Sequence, residues 1–463
     1  MTGAPARGPK LSTVVGGVVV FAGWLFGLSG LSDNSFLTHL ATGQLMWDVH
    51  RVPSADPYTF TAAGRSWVVQ SWLASAIYGV VDHFAGAGGL LILMGVLCAG
   101  VAAMMWALTS AAGSLVARLL IAAPMLAIGA AFWAERPLTM GLLALGATLL
   151  CVEHRFSPRW LVLVFWLWVN VHGSFPLGIV AVGCMALGSH FDGTRPAREL
   201  EVLKWSLVGC ALGALNPVGP KLLVFPAALL SKQSILRNVA EWQAPHFQTI
   251  SERAFLVLLV LLVVALTRRP TWRLAVTAIV FVPAALLSTR NIPVASLVLV
   301  PGIAVGLAGL GSLDGHERRG SLRVAIAALA AVAAIVGVSA AGNTPMDLSG
   351  YPVAGLAYAR SAGLLADGKH LVTQDFVGNY VDLVEGPTHR TFIDDRFDML
   401  PASLLHDYVT LLDGAPSWES VLDKYGADAV LWERDKPLAS LLALSHDWVV
   451  VYRDASYVLA RRA

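Results

Sequence analysis

Polar side chains stand where long apolar runs end, a position that asks for a reason. Asp33, His39, Asp56, Glu135, Arg136, Asn170, His172, Asn216, Lys221, Glu241, Arg290 and Asn291 all occupy such places. A carboxylate, imidazole or guanidinium at a hydrocarbon boundary is costly unless it is paired or faces water, so each is a candidate for function. Singly, each also has a plainer reading. His172 or Asn216 serves equally as a helix cap or interhelical contact, Arg136 pairs with Glu135 or snorkels, and Asp56-Pro57 opens a turn. Gathered on one side of a membrane, they would line a polar cavity opening outward.

The elements that must position them follow from composition. Hydrophobic residues make up 56% of the 463 positions and charged residues 13%, too little polar surface for a water-soluble fold of this size. The bilayer is therefore the expected solvent for most of the chain. Apolar runs stop near Ala341, and from Asn343 onward charges recur every few residues, which predicts a membrane domain over 1–341 and a soluble domain over 342–463. A net charge of +2, with no basic run interleaved with aromatics, gives nucleic acid no support as a partner. Cys98, Cys151, Cys184 and Cys210 all lie in or beside apolar runs and read as small core residues, with neither a disulfide framework nor metal-ligand spacing.

Lys and Arg collect in alternate loops: Arg7/Lys10, Arg155/Arg159, Arg195/Arg198/Lys204, Arg268/Arg269/Arg273 and Arg318/Arg319/Arg323. The positive-inside rule assigns these to the cytoplasm, with an inside N-terminus and a first run that reads as an uncleaved signal anchor. About eleven spans are then expected, near 13–31, 88–108, 114–133, 137–152, 160–171, 174–190, 203–216, 253–267, 273–288, 293–311 and 323–341, with the C-terminal domain outside. Trp67 to Phe84 is apolar enough to span, but counting it would reverse every later loop. It is expected as an interfacial amphipathic helix, with Trp67, Gln70, Trp72 and Tyr78 at headgroup depth. That leaves a long first external loop, 32–88. A second external segment, 216–253, carries Pro217, Pro220, Pro226 and Pro245 and is expected to be re-entrant or interfacial.

The first loop reads Asp33, then Phe36-Leu-Thr-His-Leu-Ala-Thr-Gly43, Arg51-Val-Pro-Ser-Ala-Asp-Pro-Tyr-Thr-Phe-Thr61 and Gly64-Arg-Ser-Trp67. An acid just after the first transmembrane helix, followed by a long external loop with an interfacial helix, resembles the GT-C superfamily of membrane glycosyltransferases. Oligosaccharyltransferase catalytic subunits, protein O-mannosyltransferases and the lipid A aminoarabinose transferase share that plan. Across nearly its whole length the chain is also similar to a group of bacterial multispanning membrane proteins. His39-Leu-Ala-Thr-Gly43, Pro53 to Thr61, Glu135-Arg-Pro137, Trp168 to Gly173, Asn216-Pro-Val-Gly219, Glu241-Trp-Gln243 and Phe392-Ile-Asp-Asp-Arg396 carry that second likeness.

The superfamily resemblance implies transfer of a sugar from a polyprenyl phosphate or diphosphate carrier to a glycan, lipid or protein acceptor at the external face of a bacterial cell membrane. By position, Asp33 matches the residue that acts there as base or orients the acceptor. Asn34 follows it where many members have a second acid, which leaves metal dependence open. Asp56 and Glu241 are the carboxylates that could complete a Mg²⁺ or Mn²⁺ site. Arg290 is the expected phosphate ligand, since its guanidinium binds two oxygens at once, with Arg136, His172, His39 and Glu241 as further substrate contacts. The alternative from another class is a non-catalytic scaffold or lipid-binding protein of envelope assembly, which would tolerate Asn at position 33.

Beyond His370, short apolar strands at Leu371, Thr391, Ala429, Trp448 and Tyr457 alternate with helical stretches near 402–412, 418–425 and 438–444, predicting a small α/β domain. Asp394-Asp395-Arg396 closes a strand. There Asp395 and Arg396 either contact a polar ligand or pair across the turn. The domain has neither a Gly-rich phosphate loop nor a serine-nucleophile turn, so no independent activity is assigned to it.

Overall fold

The computed structural model describes residues 10–153, 155–230, 242–311, 319–342, 346–387 and 390–463. They fall into two compact units that cut across the composition break at Asn343. The first draws on Met1–Leu31, Ala85–Pro226 and Arg237–Pro345, the second on Ser32–Phe84, Ala227–Leu236 and Met346–Ala463. The first loop thus belongs with the C-terminal domain.

The first unit is helical, and each expected span falls on a helix. Trp72–Ala112, Leu115–Phe132, Ile250–Arg268, Thr289–Gly306 and Leu322–Gly342 are long and apolar enough to cross a membrane; Leu11–Gly27, Pro137–Val152, Pro158–Val171, Phe175–Phe191 and Trp272–Leu287 are shorter apolar helices. The segment expected at 203–216 starts earlier, as Ala197–Leu212, with Arg198, Glu199, Glu201 and Lys204 on it. Local chemistry sets several starts. Ser114 and Thr271 accept hydrogen bonds from the free amides of Ala117 and Leu274, and Thr249 with Glu252 forms a capping box. Thr289–Gly306 is 72% buried and forms the interior, whereas Leu322–Gly342 is 6% buried. Val260, Ile279, Val324, Ile335 and Val338 are exposed, an apolar surface that only lipid or another chain would cover.

Arginines read as topological anchors also form a network. Arg273 pairs with Glu153 at 3.0 Å and Glu199 at 3.3 Å, Ser189 donates to Glu199 at 3.0 Å, and Arg198 donates to the carbonyls of Cys151 and Phe156. Four helix ends are tied together by half-buried or buried charges that satisfy one another.

In the second unit, Asn34–Val49 lies against the first half of the helix Trp72–Leu108, which breaks at Gly86 (φ 58°, ψ −164°). The contact requires glycine: a Cβ on Gly43 would stand 2.1 Å from the Ser75 carbonyl, and one on Gly79 2.3 Å from Gly43. Gln44 donates to Asp82 at 2.8 Å, and Trp47 stacks on His83 at 4.3 Å. Two expectations are corrected here. Trp67 precedes the helix instead of lying on it, and Tyr78 is fully buried against Phe36 instead of facing headgroups. An aromatic with a polar edge suits an interface, but it suits a core with polar partners equally well.

The C-terminal part supplies a four-stranded sheet in the order β1-β2-β4-β3, where β1 is Leu371–Thr373, β2 Ala429–Glu433, β3 Trp448–Arg453 and β4 Tyr457–Arg462. Only the β1/β2 pair is parallel. Helices Ala402–Asp413, Trp418–Lys424 and Pro437–Leu444 match the sequence expectation; Val353–Ser361 and Asp375–Glu385 add to it. Thr391 bridges to Leu371 on one side and to Thr59 of the first loop on the other. One core holds Tyr58, Trp67 and Val69 together with Phe392, Ile393, Tyr408 and Trp432.

Candidate functional site

Asp33 caps the helix Asn34–Val49: its Oδ1 accepts from the Phe36 amide at 3.3 Å. Along that helix, Ser35, Thr38, His39 and Thr42 recur at i, i+3, i+4 and i+7 and so share one face. Asp395 meets this face. Its Oδ2 accepts from Ser35 at 2.6 Å and its Oδ1 from Thr38 at 3.4 Å. Asn379 holds the approach, accepting from the Asp395 amide at 3.1 Å and donating to the Asn34 carbonyl at 3.2 Å. Burial raises the Asp395 carboxyl to about 7 against the pull of Ser35, and the charges of Asp394, Asp375 and Asp33 push the same way.

Beside Asp395 lies a cavity of about 90 Å³ whose lining includes His39, Gln70, Ser71, Ser75 and Asp398. His39 Nδ1 and Ser75 Oγ are 2.9 Å apart. Ser71 is 1% exposed, and its hydroxyl makes no hydrogen bond to any described residue.

Behind Asp395 sits an ion cluster. Arg396 donates Nη2 to Asp56 at 2.6 Å and Nε to both oxygens of Asp394 at 3.0 Å, with its guanidinium carbon 4.9 Å from the Tyr58 ring and 4.4 Å from that of Trp67. Burial opposes the guanidinium charge, but Asp394, Asp56 and Asp382 outweigh it and hold its pKa above the ordinary value. Asp382 accepts from Thr391 at 2.6 Å, while burial and then the Asp394 charge drive its own pKa well up.

Asp56 therefore uses its oxygens within the chain. Oδ1 accepts from Arg396 and from the Tyr58 amide at 3.1 Å, and Oδ2 from the Thr59 amide at 3.1 Å and the Thr59 hydroxyl. This is the Asx-turn reading of Asp56-Pro57 combined with a buried ion pair. Glu241, the other expected metal carboxylate, lies outside the described residues. Among the described residues, no three His, Cys, Asp or Glu side chains are grouped to hold a metal ion.

The remaining expected contacts lie in the first unit. Arg136 occupies the N-cap of Pro137–Val152, and its carbonyl accepts from the Thr139 amide at 3.0 Å. His172 Nδ1 accepts from the Ser174 amide at 3.2 Å and lies 2.8 Å from the Ser174 hydroxyl, which also accepts from Trp168 at 3.0 Å. The amide contact leaves the ring proton on Nε2 and fixes the corner. Asn216 closes its own turn, accepting from Val218 and Gly219 at 2.7 Å. The Arg290 guanidinium carbon lies 4.3 Å from the Trp242 ring centroid. Of the expected site residues, the second unit thus brings together Asp33, His39, Asp56, Asp395 and Arg396. Ser35, Thr38, Ser71 and Asp382 were missed, although the helical spacing of Ser35 to Thr42 was visible.

No family model matches the sequence, and no curated protein matches it. Solved structures do. The oligosaccharyltransferase AglB from Archaeoglobus fulgidus, in complex with an inhibitory peptide and a dolichol-phosphate, is similar at a TM-score of 0.50 and 12% identity, over 92% of this chain and 70% of its own. The apo form of the Archaeoglobus fulgidus oligosaccharyltransferase gives 0.49 at 12% identity, over 90% of this chain and 69% of its own. The arabinofuranosyltransferase AftD from Mycobacteria gives 0.47 at 12% identity, over 98% of this chain and 42% of its own.

Proposed function

We propose that the chain, which shares its fold with the archaeal oligosaccharyltransferase, is a membrane glycosyltransferase, moving a sugar from a polyprenyl-phosphate-linked donor to an acceptor at the external face. The observation that carries this reading is the placing of two acids at one helix N-terminus, Asp33 as its cap and Asp395 on its Ser35 and Thr38 hydroxyls, with Asp395 lining a polar cavity. Asp33 acts as base. The acceptor hydroxyl attacks the anomeric carbon as its proton passes to the Asp33 carboxylate; the bond from that carbon to the carrier phosphate breaks, and the phosphate leaves with the electron pair. Inversion at the anomeric carbon follows from this single displacement. Asp395 accepts a hydrogen bond from substrate. Arg290, in the first unit, is proposed to hold the carrier phosphate, a ligand chemistry also present in the dolichol-phosphate of the solved archaeal enzyme.

The test is transfer by the purified chain in nanodiscs, supplied with a radiolabelled polyprenyl-phosphate sugar and a panel of glycan, lipid and peptide acceptors. Asp33→Asn removes the charge and hardly changes volume, so transfer should fall on the order of 10²–10⁴-fold in protein of unchanged melting temperature. Wild-type transfer by that variant would eliminate Asp33 as base.

A further inference from the structure

A second cavity, of about 360 Å³, opens between three helices of the first unit, Phe175–Phe191, Trp272–Leu287 and Thr289–Gly306. Its walls are apolar, formed by Met185, Leu274, Val298, Pro301 and Val305. Exposed Asp192 and Thr194 mark its mouth, where the first of these helices ends and the second begins. From Thr271 to Thr277 it follows the second helix for about 9 Å, at 1.5 Å per residue. Two close crossings fix the walls: a Cβ on Gly188 would stand 2.4 Å from Arg273 Cα, and one on Gly302 2.5 Å from Leu274 Cδ1.

The polar side chains in the lining are already engaged within the protein. Thr277 and Thr194 donate to the carbonyls of Arg273 and Ser189, each at 2.8 Å, Ser189 donates to Glu199 at 3.0 Å, and Thr271 accepts from the Leu274 amide at 3.3 Å. Asp192 accepts from the amides of Trp272 and Arg273 at 2.7 and 3.0 Å. Arg273 donates Nη2 to Glu153 at 3.0 Å. Its Nε makes no hydrogen bond but stands 3.3 Å from the Glu199 carboxylate, so two carboxylates balance the one charge. A polar ligand here would give up its water without replacement, whereas a hydrocarbon chain gives up nothing.

The mouth supplies charge. Arg195 follows Thr194 directly and Arg268 precedes Thr271 by three residues; both are exposed, and neither guanidinium has a partner among the described residues. Phe191 and Trp272, 52% and 54% exposed with ring centroids 5.9 Å apart, flank the same opening, as aromatic rings do at headgroup depth. Apolar walls below, aromatic rings at the rim and two guanidinium groups above match the parts of a phospholipid in order. We propose that the cavity is a lipid site, taking one acyl chain of an anionic glycerophospholipid whose phosphate lies against Arg195 and Arg268. Such a site is independent of the transferase activity, because it uses none of the residues assigned to that reaction.

The test uses the full chain in phosphatidylcholine nanodiscs containing trace phosphatidylglycerol with a diazirine on one acyl chain, irradiated and digested for mass spectrometry. Label should concentrate in the peptides that contain Met185, Leu274 or Val305. Unlabelled phosphatidylglycerol should compete on the order of tenfold more effectively than phosphatidylcholine of the same chains, since each guanidinium near a headgroup favours the anionic lipid. Val305→Trp, which fills the cavity, should abolish labelling of these peptides, and Arg195→Gln combined with Arg268→Gln should bring the two lipids level. Label spread evenly over the lipid-facing helices overturns the proposal, as does equal competition by the two lipids on the native chain. So does labelling that survives Val305→Trp in protein of unchanged melting temperature; if that variant does not fold, the label map and competition on the native chain decide. Displacement of the label by polyprenyl phosphate at lower concentration than by phosphatidylglycerol would hand the cavity to the carrier and overturn it as well. None of these measurements requires sugar transfer, so their failure is separable from failure of the transferase reading, which the Asp33→Asn assay decides.

Discussion

Arg396 and Asp56, 340 residues apart in sequence, are joined by a 2.6 Å hydrogen-bonded ion pair in which both side chains are almost wholly buried. The pair fastens the first loop to the C-terminal sheet from within. Removing one partner leaves charges stranded in a low-dielectric site, and this decides the expected order of variants. Arg396→Ala strands Asp56 and Asp394 and should cost about 3–5 kcal/mol, read as a drop in melting temperature of the purified chain. Asp56→Asn, which keeps an acceptor for the Thr59 amide, should cost less. The double variant should recover part of the Arg396→Ala loss, because one stranded charge is gone. Strict additivity of the two single effects would mean that the ion pair contributes no coupling.

How far this was legible in the sequence varies by element. The helices of the first unit were, since long apolar runs bounded by caps and basic loops have few other solutions. The α/β alternation after His370 was also visible, because strand and helix periods differ over short windows. The pairing of the first loop with that domain was not. Periodicity reports that a face of Asn34–Val49 is polar, but not that Asp395 meets it from 360 residues away. Trp67 and Tyr78 were misplaced for the same reason: what covers an aromatic ring is a long-range fact. Asp33 stood out because an acid directly after an apolar run is conspicuous, whereas Ser71 looks like any other loop serine.

The raised carboxyl of Asp395 predicts a pH dependence with a definite sign. Folding lifts it from the ordinary 3.8 to about 7, so between those values the folded chain holds a proton that the unfolded chain has released. The resulting stabilisation is complete below about pH 4 and is lost as pH rises through 7. Asp395→Asn cannot ionise and keeps an acceptor for Ser35. Relative to the native chain, its melting temperature should therefore rise on going from pH 5 to pH 8, by an amount on the order of 2–4 kcal/mol of stability. A difference independent of pH would show that Asp395 titrates normally.

Orientation is open to labelling. With the half-buried Cys184 replaced by alanine, the other native cysteines, Cys98, Cys151 and Cys210, are buried and should stay silent. A cysteine introduced at exposed position 85 or 350 should react with an impermeant maleimide in spheroplasts, and one at exposed position 200 should not. Protection at 85 together with reactivity at 60 would mean that the segment ending at Phe84 spans the membrane, reversing the assignment of every later loop.

Arg290 closes the set because two physical roles compete for it. Its guanidinium carbon stands 4.3 Å from the Trp242 ring centroid, a geometry that either fixes the side chain as a cation–π pair or holds it flat for two oxygens of a carrier phosphate. Substitutions on both residues separate the roles. If Arg290 binds phosphate, Arg290→Lys retains the charge but loses the fork, and Arg290→Ala loses both, so affinity for a polyprenyl phosphate should fall in that order, by about 2–5 kcal/mol for alanine if the contact is desolvated. Trp242→Leu, which removes the ring and leaves the guanidinium, should then lower affinity only modestly. If the role is structural, Arg290→Ala and Trp242→Leu should instead lower the melting temperature by similar amounts, about 0.5–2 kcal/mol each, with a double variant no worse than either single one. Carrier affinity and melting temperature measured on these four variants distinguish the cases, and wild-type carrier affinity in stable Arg290→Ala protein would remove Arg290 from the phosphate site.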